Sequence, residues 1–425
     1  MLRKYTPSLL RRRSVARQVQ TVLSKVLLCR TATLKGHIHE CPRCGSRKNV
    51  YNSCGDRHCP QCSGARRANW LDKTSQLVLP GVHYFQVVFT LPDKLSGLIL
   101  GNRRDLYDLL FRAAWRSLRH QLQTTSQECG DEYQPAAHLV PHTWNQQLDH
   151  HPHIHALVPG GGPSLDRARW VTSRHPIQPR RRKPYLTDNV ELGREFRKQF
   201  IGGLRRHIVS DKLRLDGEWS FLRDSAKRDA WLKKLAATDW NVFIEGPPRA
   251  RGHPEHVLKY LARYMSGGPI ADSRLIGDQD GVVTFWARRK DKVRGNRSEP
   301  FTLPGAEFVR RWTMHILPRG YTRSRSYGGY HGSKREDYLE LCRELPRVPD
   351  TAEEESMSWP LKDTDEGQPK CKHCDISMEC IASSSRPSWR AVFELSIYRE
   401  AGLYSPMHHI LTGQLSPAHP TDEYG

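Results

Sequence analysis

Two histidines stand one residue apart in the segment HPHIHALVP, as His153 and His155. In an extended strand successive side chains alternate between faces, so both imidazoles point one way. Ile154, Ala156 and Val158 then point the other way, as core. Two imidazoles side by side make a metal edge with open positions, suited to a divalent cation that polarises a phosphate. Gln146 and Gln147 lie on the preceding stretch, and Gln146 is the candidate third ligand, through oxygen. Asp149, His150 and His151 are also near. A shell of nitrogen, amide oxygen and water suits Mg2+ or Mn2+.

A second pattern occupies VLKYLARYM. At about 3.6 residues per turn, Val257, Leu258, Leu261 and Met265 share one arc of a helix. Tyr260 and Tyr264 are four apart and stack one turn above the other at its edge. Tyrosines at this spacing commonly serve packing. Beside Lys259 and Arg263, however, two phenols could attack phosphorus in turn, because nearby cations stabilise a phenolate.

The third pattern is thiol-rich. Cys41-Pro-Arg-Cys44 and Cys59-Pro-Gln-Cys62 are two C-x-x-C knuckles, and together they supply the four ligands of a tetrahedral, structural zinc site. Four protein ligands leave no open position, so the site speaks for a stable small fold and not for catalysis. Cys54 and His58, with His37 and His39, remain as extra ligands or as supporting groups. Farther on, Cys371, Cys374 and Cys380 with His373 form a second small cluster that suits zinc or ordinary thiols.

These groups need elements to hold them. Val15, Val19, Val22, Leu23 and Val26 predict an amphipathic helix over 9–28, and 66–77 also reads as helical. VHYFQVVFTL (82–91) reads as a strand, dense in β-branched and aromatic residues. The stretch 102–123 reads as a helix with Leu106, Leu109, Leu110, Ala113 and Leu118 on its apolar side. Segments 136–148 and 151–159 read as paired strands, 254–266 as a short helix carrying the tyrosines, 282–289 as a strand and 303–318 as strand to helix. Residues 346–370 are rich in Pro, Glu, Asp and Ser and read as a linker.

Lys and Arg number 67 against 45 Asp and Glu, a net charge of +22. Such a field attracts polyanions, and its interleaving with aromatics, as around Arg310, Arg311 and Trp312, favours nucleic acid over a plain solubilising surface. No apolar run is long enough to span a membrane. The N-terminal stretch MLRKYTPSLLRRRS lacks the apolar run of a secretory leader, so the eleven cysteines are expected as reduced thiols or metal ligands. No phosphate-binding loop of the G-x-x-x-x-G-K-[ST] type occurs.

Over roughly residues 25–335 the chain resembles the two-tyrosine, HUH-type rolling-circle transposases of the insertion-sequence 91 family. The resemblance rests on CRTATLKGH, YNSCGDRHCPQC, HYFQVVFTLP, HTWNQQLDHHPHIHALVPGGG, VLKYLARYM and EFVRRWTMHILPRGYTRSRSYG, in that order, and on CKHCDISM later, beyond that span. It implies an α+β fold: an HUH nuclease core with a central antiparallel sheet and flanking helices, preceded by a small zinc-binding module. It also implies that His153 and His155 hold the catalytic cation and that Tyr260 and Tyr264 form 5′-phosphotyrosine links. Cys41, Cys44, Cys59 and Cys62 would bind zinc. DNA contacts are assigned to Lys259, Arg263, Arg310 and Arg311. The expected division is 1–75 for the N-terminal helix and zinc module, 76–335 for the nuclease, 336–370 for a linker and 371–425 for a Cys-containing tail.

The expected partners are single-stranded DNA at element ends and target DNA, with host replication or helicase proteins, in a bacterial cytoplasm at the nucleoid. A replication initiator or relaxase would share the chemistry. The zinc module and the CKHCDISM segment favour the transposase. A zinc-finger protein that binds without cutting, or a nuclease that uses water, are the remaining alternatives.

Overall fold

The computed structural model describes residues 1–12, 15–62, 74–178, 184–246, 268–291, 295–345 and 368–394. The chain is mixed α+β, and among the described residues all strand pairings are antiparallel. It divides into two compact units, one of Met1–Arg66, Ile270–Ile316 and Glu353–Gly425, the other of Arg67–Pro269 and Leu317–Ala352.

The first unit starts with two helices, Leu2–Arg12 and Arg17–Leu27, where periodicity predicts one helix over 9–28. The second buries Val19, Val22, Leu23, Val26 and Leu27 on one stripe. Next comes a three-stranded sheet with Gly36–Glu40 at its centre. Arg47–Tyr51 flanks it on one side and Glu379–Ser383 on the other. The expected separate tail from residue 371 is therefore corrected: its strand pairs with the N-terminal module. A meander of Leu275–Gln279, Val282–Asp291 and Gly295–Pro304 leads into the helix Gly305–Met314.

The second unit is built on a five-stranded sheet. Its order is Arg325–Gly328, Ala136–Trp144, His150–Pro159, Tyr84–Thr90 and Val242–Glu245. The three middle strands are buried along nearly their whole length, their polar Gln86, His138, His142 and His155 included. On one face Phe85, Val87, Phe89, Leu139, Ile154, Ala156 and Val158 meet the helices Arg103–Glu128 and Asn189–Val209. Phe89 and Trp240 both pack edge-on against Phe196, with ring centroids 5.1 and 5.4 Å apart. Each such buried side chain contributes about 1.5–3 kcal/mol of transfer free energy. The helix from Asn189 starts where Asp188 caps it, accepting from the backbone N–H of Val190 and Glu191. On the other face Tyr84, Val140 and Leu157 join a smaller core with Tyr330, Tyr338 and Leu339. That face also carries the histidines.

Candidate metal centre

Thiolate chemistry dominates the first unit. Cys29, Cys54, Cys59 and Cys62 place their ligand atoms within 4.8 Å of one another, and all four are buried. Cys29 and Cys54 each lie 3.6 Å from Cys62, sulfur to sulfur. A tetrahedral zinc with bonds of about 2.3 Å sets its sulfurs about 3.8 Å apart, so the spacing fits. Cys29 follows the end of the second helix, and its sulfur accepts from the Cys54 N–H at 3.3 Å. The crowded donors hold the Cys29 thiol far below the usual thiol range and push Cys54 and Cys59 up. Four adjacent thiolates repel one another, and a bound dication removes that conflict.

The pairing of knuckles inferred from sequence is thereby corrected. Cys59 and Cys62 complete their set with Cys29 and Cys54, while Cys41 and Cys44 stand in a different group with Cys371 and Cys374. Cys54, expected as an accessory, is a full member. His58 is not; its Nδ1 lies 3.0 Å from Asp56 Oδ1. Cys29 was missed because it sits alone at a helix end, with no second cysteine at knuckle spacing.

The histidines lie on the second unit's sheet. His153 and His155 share one face of the strand His150–Pro159, and His142 on the neighbouring strand lies directly across from His153. The ligand nitrogens of these three lie within 4.8 Å of one another, and the ring centroids of His142 are 5.3 and 4.5 Å from those of His153 and His155. The third group is thus an imidazole, His142, in place of the expected Gln146. Gln146 is exposed in the turn after the strand. Asn145 shapes that turn, its Oδ1 accepting from the backbone N–H of Gln147 and Asp149. Three imidazoles could hold a divalent cation and would leave further ligand positions to be filled by other donors.

The sheet also sets which ring nitrogen is offered. The Nδ1–H of His153 donates to the carbonyl of His151 at 2.8 Å, leaving Nε2 with its lone pair. Nδ1 of His155 lies 2.8 Å from the side-chain amide nitrogen of Gln86, which is buried on the adjacent strand. Turning that amide over places its oxygen on Nδ1–H and frees Nε2 of His155 as well. Gln86→Leu should therefore weaken Mn2+ binding by about 10–100-fold, whereas Gln86→Glu, which still accepts from Nδ1–H, should retain it. Calorimetric Mn2+ titration of both variants checks this, and unchanged affinity in the leucine variant would contradict it.

Burial lowers the pKa of His153 to about 4; burial and then the neighbouring His153 lower that of His155 to about 3. Burial also lowers His138, on the same face, to about 4. All three are held neutral by burial, so His153 and His155 need lose no proton to ligate. In the unfolded chain they take up protons near their ordinary value of 6.5. The metal-free protein should therefore keep its full stability above that pH and lose it progressively as pH falls towards 4 and then 3. Urea midpoints of chelated protein at descending pH measure this.

Tyr260, Tyr264, Lys259 and Arg263 lie outside the described residues. Arg310 and Arg311 lie in the first unit on the helix Gly305–Met314. Both guanidinium groups bond to Glu307, at 2.6 and 2.9 Å, and hold its carboxyl down at about 2.

A sheet-borne set of three imidazoles in one unit and a thiolate-knit module in the other define an α+β protein with candidate metal sites in each. Comparison gives it a family. Residues 1–91 match the family described as "Transposase zinc-binding domain", and residues 137–337 match that described as "Putative transposase". The chain is 37% identical over 333 residues to "Putative transposase y4qJ" of Sinorhizobium fredii, covering 78% of this chain and 79% of that one. It is 27% identical over 313 residues to "Transposase for insertion sequence element IS801" of Pseudomonas savastanoi pv. phaseolicola, covering 73% and 70%. The chain belongs to the insertion-sequence 91 family of transposases. No solved structure matches it. Among the described residues no helix is long and apolar enough to cross a membrane.

Proposed function

We propose that this chain is a rolling-circle transposase that cuts and rejoins single-stranded DNA through a 5′-phosphotyrosine link. The observation that carries the reading is the convergence of three imidazoles, His142, His153 and His155, in a chain of this transposase family. A divalent cation such as Mg2+ or Mn2+ bound by these imidazoles would draw electron density from the scissile phosphate and neutralise charge as it builds.

The nucleophile in this reading is Tyr260 or Tyr264. The strand Val242–Glu245 pairs Glu245 with Gln86, whose amide touches His155. Tyr260 follows fifteen residues later, a length of chain sufficient to return to the metal face at about 3.3 Å per extended residue. The phenolate oxygen attacks phosphorus, a P–O–tyrosine bond forms, and the bond to O3′ breaks. The leaving O3′ takes a proton and becomes a free 3′-OH. The displaced 5′ end stays on the protein. Attack of a 3′-OH on the phosphotyrosine reverses the step and joins strands. Each step exchanges one phosphoester for another, so no nucleotide hydrolysis is needed. The second tyrosine lets a second exchange proceed while the first end is held. Lys259 and Arg263 would stabilise the phenolate and hold the DNA backbone.

A replication initiator with the same chemistry stands second, since the similar proteins are named as transposases. The test is cleavage of single-stranded oligonucleotides spanning the ends of the surrounding genetic element. The expected products require Mg2+ or Mn2+, vanish with chelator, and carry a 3′-OH that a polymerase extends. Products bearing a 3′-phosphate would overturn the proposed polarity.

A further inference from the structure

We propose that the first unit holds a second structural zinc, distinct from the Cys29/Cys54/Cys59/Cys62 site, whose ligands Cys41, Cys44, Cys371 and Cys374 come from opposite ends of the chain. The four ligand atoms lie within 4.8 Å of one another. Cys44 and Cys371 are 327 residues apart in sequence and 3.6 Å apart at sulfur, close to the edge of about 3.8 Å that a zinc–thiolate tetrahedron requires. All four are free thiols, so no disulfide accounts for their convergence.

The two halves are built alike. The Cys41 N–H donates to Ser46 O at 2.9 Å, and the Gly45 N–H donates to Cys41 O at 2.9 Å. The Cys371 N–H donates to Ile376 O, and the Asp375 N–H to Cys371 O, both also at 2.9 Å. The residue after each second cysteine takes a left-handed backbone, with φ of 69° at Gly45 and 53° at Asp375. Each half is thus the same tight turn, presenting two sulfurs to one point. Asp375 stands where the first turn has glycine, and aspartate is among the residues that adopt this left-handed backbone.

The sheet supports the same assembly. Glu379–Ser383, which follows the second knuckle, pairs along Gly36–Glu40, which precedes the first. The interior there is thin: Cys41, Cys371, Met378 and two partly buried neighbours form the whole cluster. Two knuckles on three short strands enclose too little apolar surface to hold together unaided, and a metal supplies what is missing. Residues 1–91, the span of the zinc-binding family match, contain only half of this site. The other half arrives after the whole nuclease unit, so the ion closes the module around a long insertion.

Elemental analysis of the full chain tests the count. Wild type should hold two zinc ions per chain, and Cys371→Ser with Cys374→Ser should hold one. A wild-type content of one, or a variant that keeps two, would overturn the proposal. Alkylation of the native wild type gives a reading free of any folding defect. Cys44 and Cys380 are exposed and Cys374 is half-buried. Cys380 should react at once, while Cys44 and Cys374 stay protected until a chelator releases both together. Labelling of Cys374 as fast as Cys380, or release of Cys374 without Cys44, would count against a shared ion.

Discussion

His142→Ala should lower metal-dependent strand cleavage by about 10^3-fold while leaving the protein folded. A cation that polarises a phosphate supplies several kcal/mol to the transition state, and each 1.4 kcal/mol or so is tenfold in rate. Removing one of three nitrogens leaves only the His153–His155 edge, so metal occupancy and orientation both fall. The fold should survive, because His142 points away from the apolar face where Ile154 and Ala156 pack. His138→Ala is the matched control. It lies on the same strand and the same face, buried, and its Nδ1 is 2.9 Å from Ser326 Oγ. It lies outside the three-imidazole group. That variant should lose about 1–3 kcal/mol of stability from the broken buried hydrogen bond and keep its cleavage rate per folded molecule. Single-turnover rates with denaturant midpoints separate the two effects. Equal cleavage by His142→Ala and wild type would remove His142 from the site.

Cys29→Ser should have the largest effect on structure. Serine is a poor zinc ligand, and the loop from Cys54 to Cys62 has little else inside it than the sulfurs. Binding of a structural zinc by small modules is worth about 10–16 kcal/mol and is largely their folding free energy. The variant should lose the ion of this cluster and the amide-exchange protection of residues 54–62. The sheet of the second unit, which has its own core, should keep its protection. Retention of zinc and protection at Cys54–Cys62 would show that Cys29 is not a ligand.

Both predictions turn on residues that spacing alone does not reveal. His-x-His is legible because two ligands on one strand obey a period of two. The third ligand comes from the adjacent strand, and cross-strand register places it; no local pattern marks His142. The knuckles are legible as C-x-x-C, but spacing does not say which knuckle meets which. The nearest pairs in sequence, Cys41/Cys44 and Cys59/Cys62, go to different groups, because the pairing of Gly36–Glu40 with Glu379–Ser383 brings Cys371 and Cys374 to the first. The strands at 84–90 and 150–159 and the helix from Arg103 follow their apolar patterns closely. Arg310 and Arg311 illustrate a signal present but outweighed: Glu307 stands three and four residues before them, the spacing of intrahelical ion pairs. Basic residues near aromatics point to DNA, yet here the local carboxylate already engages both guanidinium groups.

A covalent tyrosine intermediate would leave the cut strand attached to the protein, where a denaturing gel detects it. Single-stranded oligonucleotide spanning an element end and labelled on the 3′ side of the cut is incubated with the protein and Mn2+, then run on a denaturing protein gel. Label is expected at the mass of the protein plus the downstream strand, abolished by Tyr260→Phe together with Tyr264→Phe and by chelator. Cleaved DNA that never migrates with the protein, or an adduct that persists in the double phenylalanine variant, would contradict it.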